Sequence, residues 1–294
     1  MNDAAQDVPR PITPTALRAW PLPAPGASKY ERGQVLVLGG SRGTPGAVML
    51  AGLAALRVGA GKLTVGVAAS VATAVAVALP EAGVTGLEED EGGSVTGGGL
   101  DALERVLSGA AALLVGPGLD DPEGTVRLVR GIAERVGPEV PVVLDAFAVG
   151  ALSQLGDAAD RLRGRLLLTP NSGEAAFLLG VDDVEDLAAA ATTIAGRYDA
   201  VVSCGDFVAA PGGVLWEKTT GERGLGTSGS GDVLAGALVG LLARGADPLQ
   251  AVVWASHLHA AAGDRLAAGV GRVGFLAREL LPELPHVLTE LSGA

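Results

Sequence analysis

The sequence predicts an α/β fold: a central, mostly parallel sheet with helices on both faces. Three observations carry this. Short apolar runs alternate with longer Ala/Leu-rich stretches of helical spacing, the signature of repeated strand–helix units. Aromatic residues are 3% of the 294 residues, against 48% hydrophobic residues and 45 glycines. A core built from Ala, Val and Leu suits helices packed closely on a buried parallel sheet. Several apolar runs also end abruptly in Gly, Pro or Asp, as strands do where they feed turns.

The elements follow in order. Residues 34–38 (QVLVL) form a buried strand that enters the turn Gly39-Gly40-Ser41. Gly46–Val58 has helical spacing, Lys62–Val67 reads as a strand, and Val71–Leu79 reads as a helix stopped by Pro80. Residues 87–99 are acidic and glycine-rich, an exposed loop, and Leu100–Ser108 is helical. Ala111–Val115 is a strand leading into Gly116-Pro117-Gly118, followed by a helix at Gly124–Val136. Strands at Pro141–Leu144 and Arg165–Leu168 end at Asp145 and Thr169-Pro170. Ser172–Leu179 is a short helix capped by Asn171 or Ser172, and Val184–Arg197 is another. Ala200–Ser203, Phe207–Ala209 and Val214–Glu217 read as a strand meander. Gly231–Ala243, Pro248–Ala268 and Val273–Leu281 read as the closing helices.

Charge and cysteine usage bound the function. Net charge is −12 and no Lys/Arg run is present, which argues against a polyanion-binding surface. A phosphate ligand would have to be held by backbone N–H groups and a metal. The single cysteine, Cys204, rules out an internal disulfide and suits a reducing compartment. Residues 1–28 are rich in Pro and Ala and lack a basic segment before an apolar one. They read as a leader or linker rather than a signal peptide, which leaves 29–294 as one domain. Leu63–Leu79 is too short and too interrupted to span a membrane, which needs about 20 strongly apolar residues.

Ligands in open parallel sheets bind at the carboxyl ends of strands. Here those ends carry Gly39–Ser41, Gly116–Gly118, Asp145 and the segment Thr169–Glu174. The sharpest segment is Gly224–Asp232 (GLGTSGSGD), followed by a long apolar helix. Small residues let a backbone approach an anion, and a helix N-terminus offers free N–H groups and partial positive charge. Asp232 is expected to be ionised at neutral pH there, fit to act as a general base or to place a metal. The plain alternative is a flexible loop with Asp232 capping the helix. His257 and His259 lie two apart on a helix and so point to different faces, which argues against zinc. Asp145 either supports the site or caps the following turn.

Residues 226–245 (GTSGSGDVLAGALVGLLARG) resemble the signature of the ribokinase-like superfamily. Within it the chain resembles the ADP/ATP-dependent NAD(P)H-hydrate dehydratases, the C-terminal domain of the YjeF-type bifunctional repair proteins. The family's other segments follow in the same order: 29–66, Pro80-Glu81, 113–120, 142–149, 166–180 and 257–264. The resemblance implies a three-layer αβα ribokinase-like fold. It also implies dehydration of the S epimer of NADH or NADPH hydrated at ring carbon 6, with ADP or ATP phosphorylating the hydroxyl before phosphate leaves. It makes Asp232 the catalytic base and places substrate against Ala47, Gly118, Asn171 and Asp232. The nucleotide falls on Cys204, Gly205, Asp206, Phe207 and Val208 and on Gly229, Ser230 and Gly231. Gly118 keeps a purely conformational alternative, since a turn glycine permits positive φ. Mg²⁺ is the implied metal, with Glu174 its candidate ligand; the alternative for Glu174 is a first-turn acid favoured by the helix dipole. His259 is implied to pack near the nucleotide.

The resemblance further implies a cytoplasmic homotetramer. Residues 1–28 are too short for an epimerase domain, so a separate epimerase is the expected partner. Two positions depart from the family pattern. Asn171 stands where the family has His and lacks a cationic form. Cys204 stands where the family has a nucleotide-holding Lys, so a cationic donor is lost, with Arg223 a candidate to compensate. Two other readings stay open: a ribokinase-like vitamin-precursor kinase, and a non-catalytic nucleotide-binding relative.

Overall fold

The computed structural model describes residues 8–221 and 223–292. Residues 1–7 of the expected leader lie outside the described residues. Among the described residues ten strands form one sheet. They are β1 (Arg10–Ile12), β2 (Gln34–Leu38), β3 (Lys62–Ala68), β4 (Ala82–Leu87), β5 (Ala112–Val115), β6 (Val142–Leu144), β7 (Leu166–Leu168), β8 (Ala200–Cys204), β9 (Phe207–Ala210) and β10 (Val214–Lys218). Their order is β1-β10-β9-β8-β7-β6-β5-β2-β3-β4. Strand β9 runs antiparallel to both neighbours, which makes the expected meander. The other pairings are parallel.

The period of two along each strand sorts the core into two layers. Val35, Val37, Leu114, Val143 and Leu167 face one side. Leu36, Leu38, Leu113, Leu144 and Leu168 face the other. The first side is covered by α2 (Gly46–Arg57), α10 (Ser230–Ala243), α11 (Pro248–Gly269) and α12 (Ala277–Ser292). The second side is covered mainly by α5 (Pro122–Arg135), α6 (Phe147–Ala151), α8 (Ser172–Leu179) and α9 (Leu187–Tyr198). The result is the three-layer αβα arrangement. Asp121, Asn171, Asp186 and Asp247 cap α5, α8, α9 and α11 by accepting from first-turn N–H groups.

The structure corrects the reading of residues 8–28 as leader or linker. β1 pairs with β10, and Ile12 is fully buried. A short helix, α1 (Pro14–Arg18), buries Leu17. The carbonyl of Trp20 then accepts from Trp254 Nε1 at 3.0 Å and from Gln250 Nε2 at 3.1 Å, and its ring stacks on Trp216. Strand β4 was missed because Gly83 and Gly86 break its apolar pattern at the sheet edge. The last helix, expected to stop near Leu281, runs on through Pro282 and Pro285. Its buried stripe Leu280, Leu284, Val287 and Leu291 outweighs the proline penalty.

Candidate active site

α10 opens on Gly229, whose φ is +87°. The dihedral demands glycine, and a Cβ there, 2.6 Å from Leu50 Cδ1 on α2, would also displace that side chain. No side chain caps the helix, and Gly231 is exposed. Ser230 N donates to the Thr227 carbonyl at 3.2 Å, and the remaining amides of the turn form an anion-binding end. Asp232, in that first turn, is half-buried, and burial pushes its carboxyl up to about 6. The helix dipole was expected to hold it low. Desolvation wins, yet the group is still mostly ionised at neutral pH.

Small residues lock α10 against α2. A Cβ on Gly236 would meet the Ala51 carbonyl oxygen at 2.1 Å, and one on Gly240 the Ala55 oxygen at 2.6 Å. The two backbones therefore touch directly, and this fixes the start of α2 beside the start of α10. Ala47, in the first turn of α2, lies against Gly118, whose φ is +71°. The Gly118 carbonyl accepts from Ser41 N at 2.8 Å and from Thr44 Oγ1 at 2.7 Å. The turns 39–41 and 116–118 thus join the α10 entry. Ser41 is fully buried, and its Oγ has no partner among the described residues.

Asp145, at the end of β6, closes this cluster from below. It is 7% exposed and accepts from Thr169 Oγ1 at 2.7 Å. Burial drives its carboxyl up to about 7, helped by the nearby charges of Asp232 and Glu174. Ala146 follows at φ +50°, ψ −130°, a conformation costly for a residue with a Cβ. Asn171 is the α8 N-cap, and with Glu174 it forms a capping box: each side chain accepts from the other's N–H at 2.9 Å. Both line an apolar cavity of 550 Å³ walled by Phe147 and Phe177. Burial raises the Glu174 carboxyl, which sits in the first turn of α8, the place where the sequence alternative was an acid favoured by the helix dipole.

The segment 204–208 divides. Cys204 is fully buried on the α9 side, and burial pushes its thiol up to about 11. Gly205 takes φ +56° in the two-residue turn between β8 and β9. Val208 is fully buried and Phe207 packs against the core. Asp206 lines a second, polar cavity of 740 Å³ with Lys218, Thr219, Thr220, Gly221, Asp264 and Arg272. His259 is buried on α11, 2.8 Å from Ser230 Oγ, and burial depresses its imidazole to about 4. His257 is also buried and shifted down. The sequence reading missed Lys218 because it ended the strand at Glu217. Alternation from inward-packed Trp216 was the signal that would have found it.

Comparison with known proteins follows the same lines. The model of the NAD(P)H-hydrate dehydratase family matches residues 35–286. An ADP-dependent (S)-NAD(P)H-hydrate dehydratase of Xanthomonas campestris is 48% identical over 96% of this chain and 97% of its own. The chain spans about half the length of the bifunctional NAD(P)H-hydrate repair enzymes it also matches. The Bacillus subtilis ADP/ATP-dependent NAD(P)H-hydrate dehydratase, co-crystallized with ATP/Mg²⁺, superposes with TM-score 0.79 at 29% identity, covering 98% of this chain and 100% of that one. A ribokinase-like superfamily protein of Enterococcus faecalis shares the fold at TM-score 0.83 and 22% identity, covering 99% of each chain.

Proposed function

The chain belongs to the NAD(P)H-hydrate dehydratase family, and from that premise we propose that it dehydrates the S epimer of hydrated NADH or NADPH with ADP as phosphoryl donor. The observation that carries the reading is Asp232, half-buried in the first turn of an uncapped helix. Its carboxylate takes the proton of the hydrate hydroxyl. The hydroxyl oxygen bonds to the terminal phosphorus of ADP, and the bond from that phosphorus to the bridging oxygen breaks, releasing AMP. The ring nitrogen then expels phosphate from carbon 6, and loss of a neighbouring ring proton restores the double bond. The balance is hydrate plus ADP giving NAD(P)H, AMP and phosphate. The protein's part is orientation and charge stabilisation, with the Gly231 and Asp232 amides facing the transferred phosphoryl group.

The hydrated ring is assigned to the side of Ala47, Gly118 and Asn171, and the nucleotide to the polar cavity beside Asp206. Asp206 lines that cavity; the side chains of Cys204 and Val208 are sealed in the core. Among the described residues no group of three or more His, Cys, Asp or Glu is placed to cage a metal. Mg²⁺ would be held mainly through nucleotide phosphates with one or two carboxylates, here Glu174 and Asp145. The ion would neutralise charge on the phosphates. A cytoplasmic setting fits the single, unpaired cysteine. Among the described residues no helix is long and apolar enough to cross a membrane. A separate epimerase would supply the S form.

The test is purified protein with hydrated NADH and ADP, following the return of nicotinamide absorbance and the release of AMP and phosphate. A stable phosphorylated product from a vitamin precursor, with no absorbance recovery, would favour a kinase instead.

A further inference from the structure

We propose that Lys218 is the phosphate-binding cation of the 740 Å³ cavity, reaching the nucleotide from the α11 face of the sheet. The proposal rests on the reading that a nucleotide is the second substrate.

The charge balance of the site motivates it. Asp145, Glu174 and Asp232 surround the helix entry, and Asp206 and Asp264 line the adjoining cavity. A diphosphate entering these carboxylates meets repulsion that backbone amides only partly offset. Lys218 stands at the end of β10, its side chain 14% exposed. Its carboxylate partner, Asp206, lies 3.6 Å away and is 73% exposed, a weak match for a buried ammonium. Asp264 and Arg272 share the cavity wall with Lys218, and the nearby His259 is an imidazole that burial keeps neutral. Burial also lowers the Lys218 ammonium itself, so this cation has been desolvated without full compensation. An anion at this position supplies what is missing.

Geometry connects the ammonium to the chemistry. The charge of Lys218 is felt at His259, and His259 Nε2 touches Ser230 Oγ at the start of α10. His259 thus neighbours both Lys218 and the start of α10. On the same cavity wall, Thr220 Oγ1 is buried without a partner among the described residues. The cavity volume falls in the range of nucleotide-sized sites. Cys204 packs into the opposite face of the sheet and offers no charge, so the cation comes from the other side.

The test compares wild type with Lys218→Met and Lys218→Arg by calorimetric titration of ADP, AMP and adenosine, with KM, kcat and Tm measured alongside. The Met variant should raise the ADP dissociation constant about ten- to a hundredfold, the span of a charge-assisted hydrogen bond. Adenosine affinity should stay the same, and Tm should hold or rise once the buried ammonium is gone. Arg should recover part of the ADP affinity. Wild-type ADP affinity in the Met variant, or equal losses for ADP and adenosine, overturns the proposal. Wild-type protein that binds ADP yet never restores NADH would defeat the functional reading while the same titrations still decide Lys218. Failure of wild type to bind ADP overturns both.

Discussion

The hydroxyl of Ser230 lies 2.8 Å from Nε2 of His259. The first residue of the helix that presents Asp232 is thereby tied to the middle of α11, the helix packed behind it. Both residues are buried, and the imidazole is depressed to about 4. At neutral pH it is an uncharged ring that shares one hydrogen bond with Ser230.

That bond predicts a pH signature in stability. Below the ordinary histidine value of 6.5 the unfolded chain takes up a proton that the folded chain refuses until about 4. Stability from this residue is therefore complete above 6.5 and falls as pH drops through that window. Between pH 7 and pH 5 the loss amounts to about 2 kcal/mol. His259→Asn should remove that slope. Urea denaturation of both proteins at the two pH values checks it, and equal losses would count against a neutral, buried His259.

Asp232→Asn should lower kcat by about a hundred- to ten-thousandfold, the usual contribution of a positioned base, with ADP affinity kept. In wild type, kcat should rise with pH through about 6 as the Asp232 carboxyl ionises and level off above it. Asp145, held near 7 partly by the charge of Asp232, should titrate lower in the Asn variant. Carboxyl NMR on labelled protein reads that shift directly. An Asp145 value unmoved by the substitution would mean the two groups are not coupled.

Gly236→Ala sets two effects against each other. Helix propensity alone favours alanine by about 1 kcal/mol. The new methyl, however, would stand 2.1 Å from the Ala51 carbonyl oxygen, a backbone atom that cannot swing away. Overpacking of this kind costs about 1–3 kcal/mol, so net destabilisation is expected, together with a weakened KM because α2 carries Ala47. Denaturant midpoints and steady-state kinetics test both halves.

Much of this architecture was written in local patterns. Four consecutive sheet neighbours, β2, β5, β6 and β7, are apolar runs ending in conspicuous turns, and the pattern gave their places and their common ligand side. Asp232 stood out because glycines and a long apolar helix frame it. What stayed hidden depends on distant partners. β1 is a three-residue strand that exists by pairing with β10, across more than two hundred residues of chain. Residues 146–164 fold as helices too short to show a period. Lys218 looks like any strand-end lysine until α11 covers it. Cys204 was legible as a loss of charge, but not the side of the sheet on which its thiol is buried.

That burial supports the last prediction. A cysteine beside a nucleotide cavity invites the idea of a reactive thiol, yet reactivity belongs to the thiolate. Here the side chain is fully buried, and its thiol is pushed up to about 11 by desolvation, with the Glu174 charge adding to it and Lys218 opposing. At neutral pH the thiolate is scarce and out of reach of reagents. Native protein should therefore keep its activity through treatment with iodoacetamide, while denatured protein is alkylated. Cys204→Ala should retain turnover and lose about 1 kcal/mol of stability through the small cavity left behind. Cys204→Ser should lose more, because a hydroxyl among Leu168, Val202 and Ala209 needs a hydrogen-bond partner that a thiol does not. Rapid inactivation of the folded enzyme, or a serine variant more stable than the alanine one, would show that the thiol faces the cavity after all.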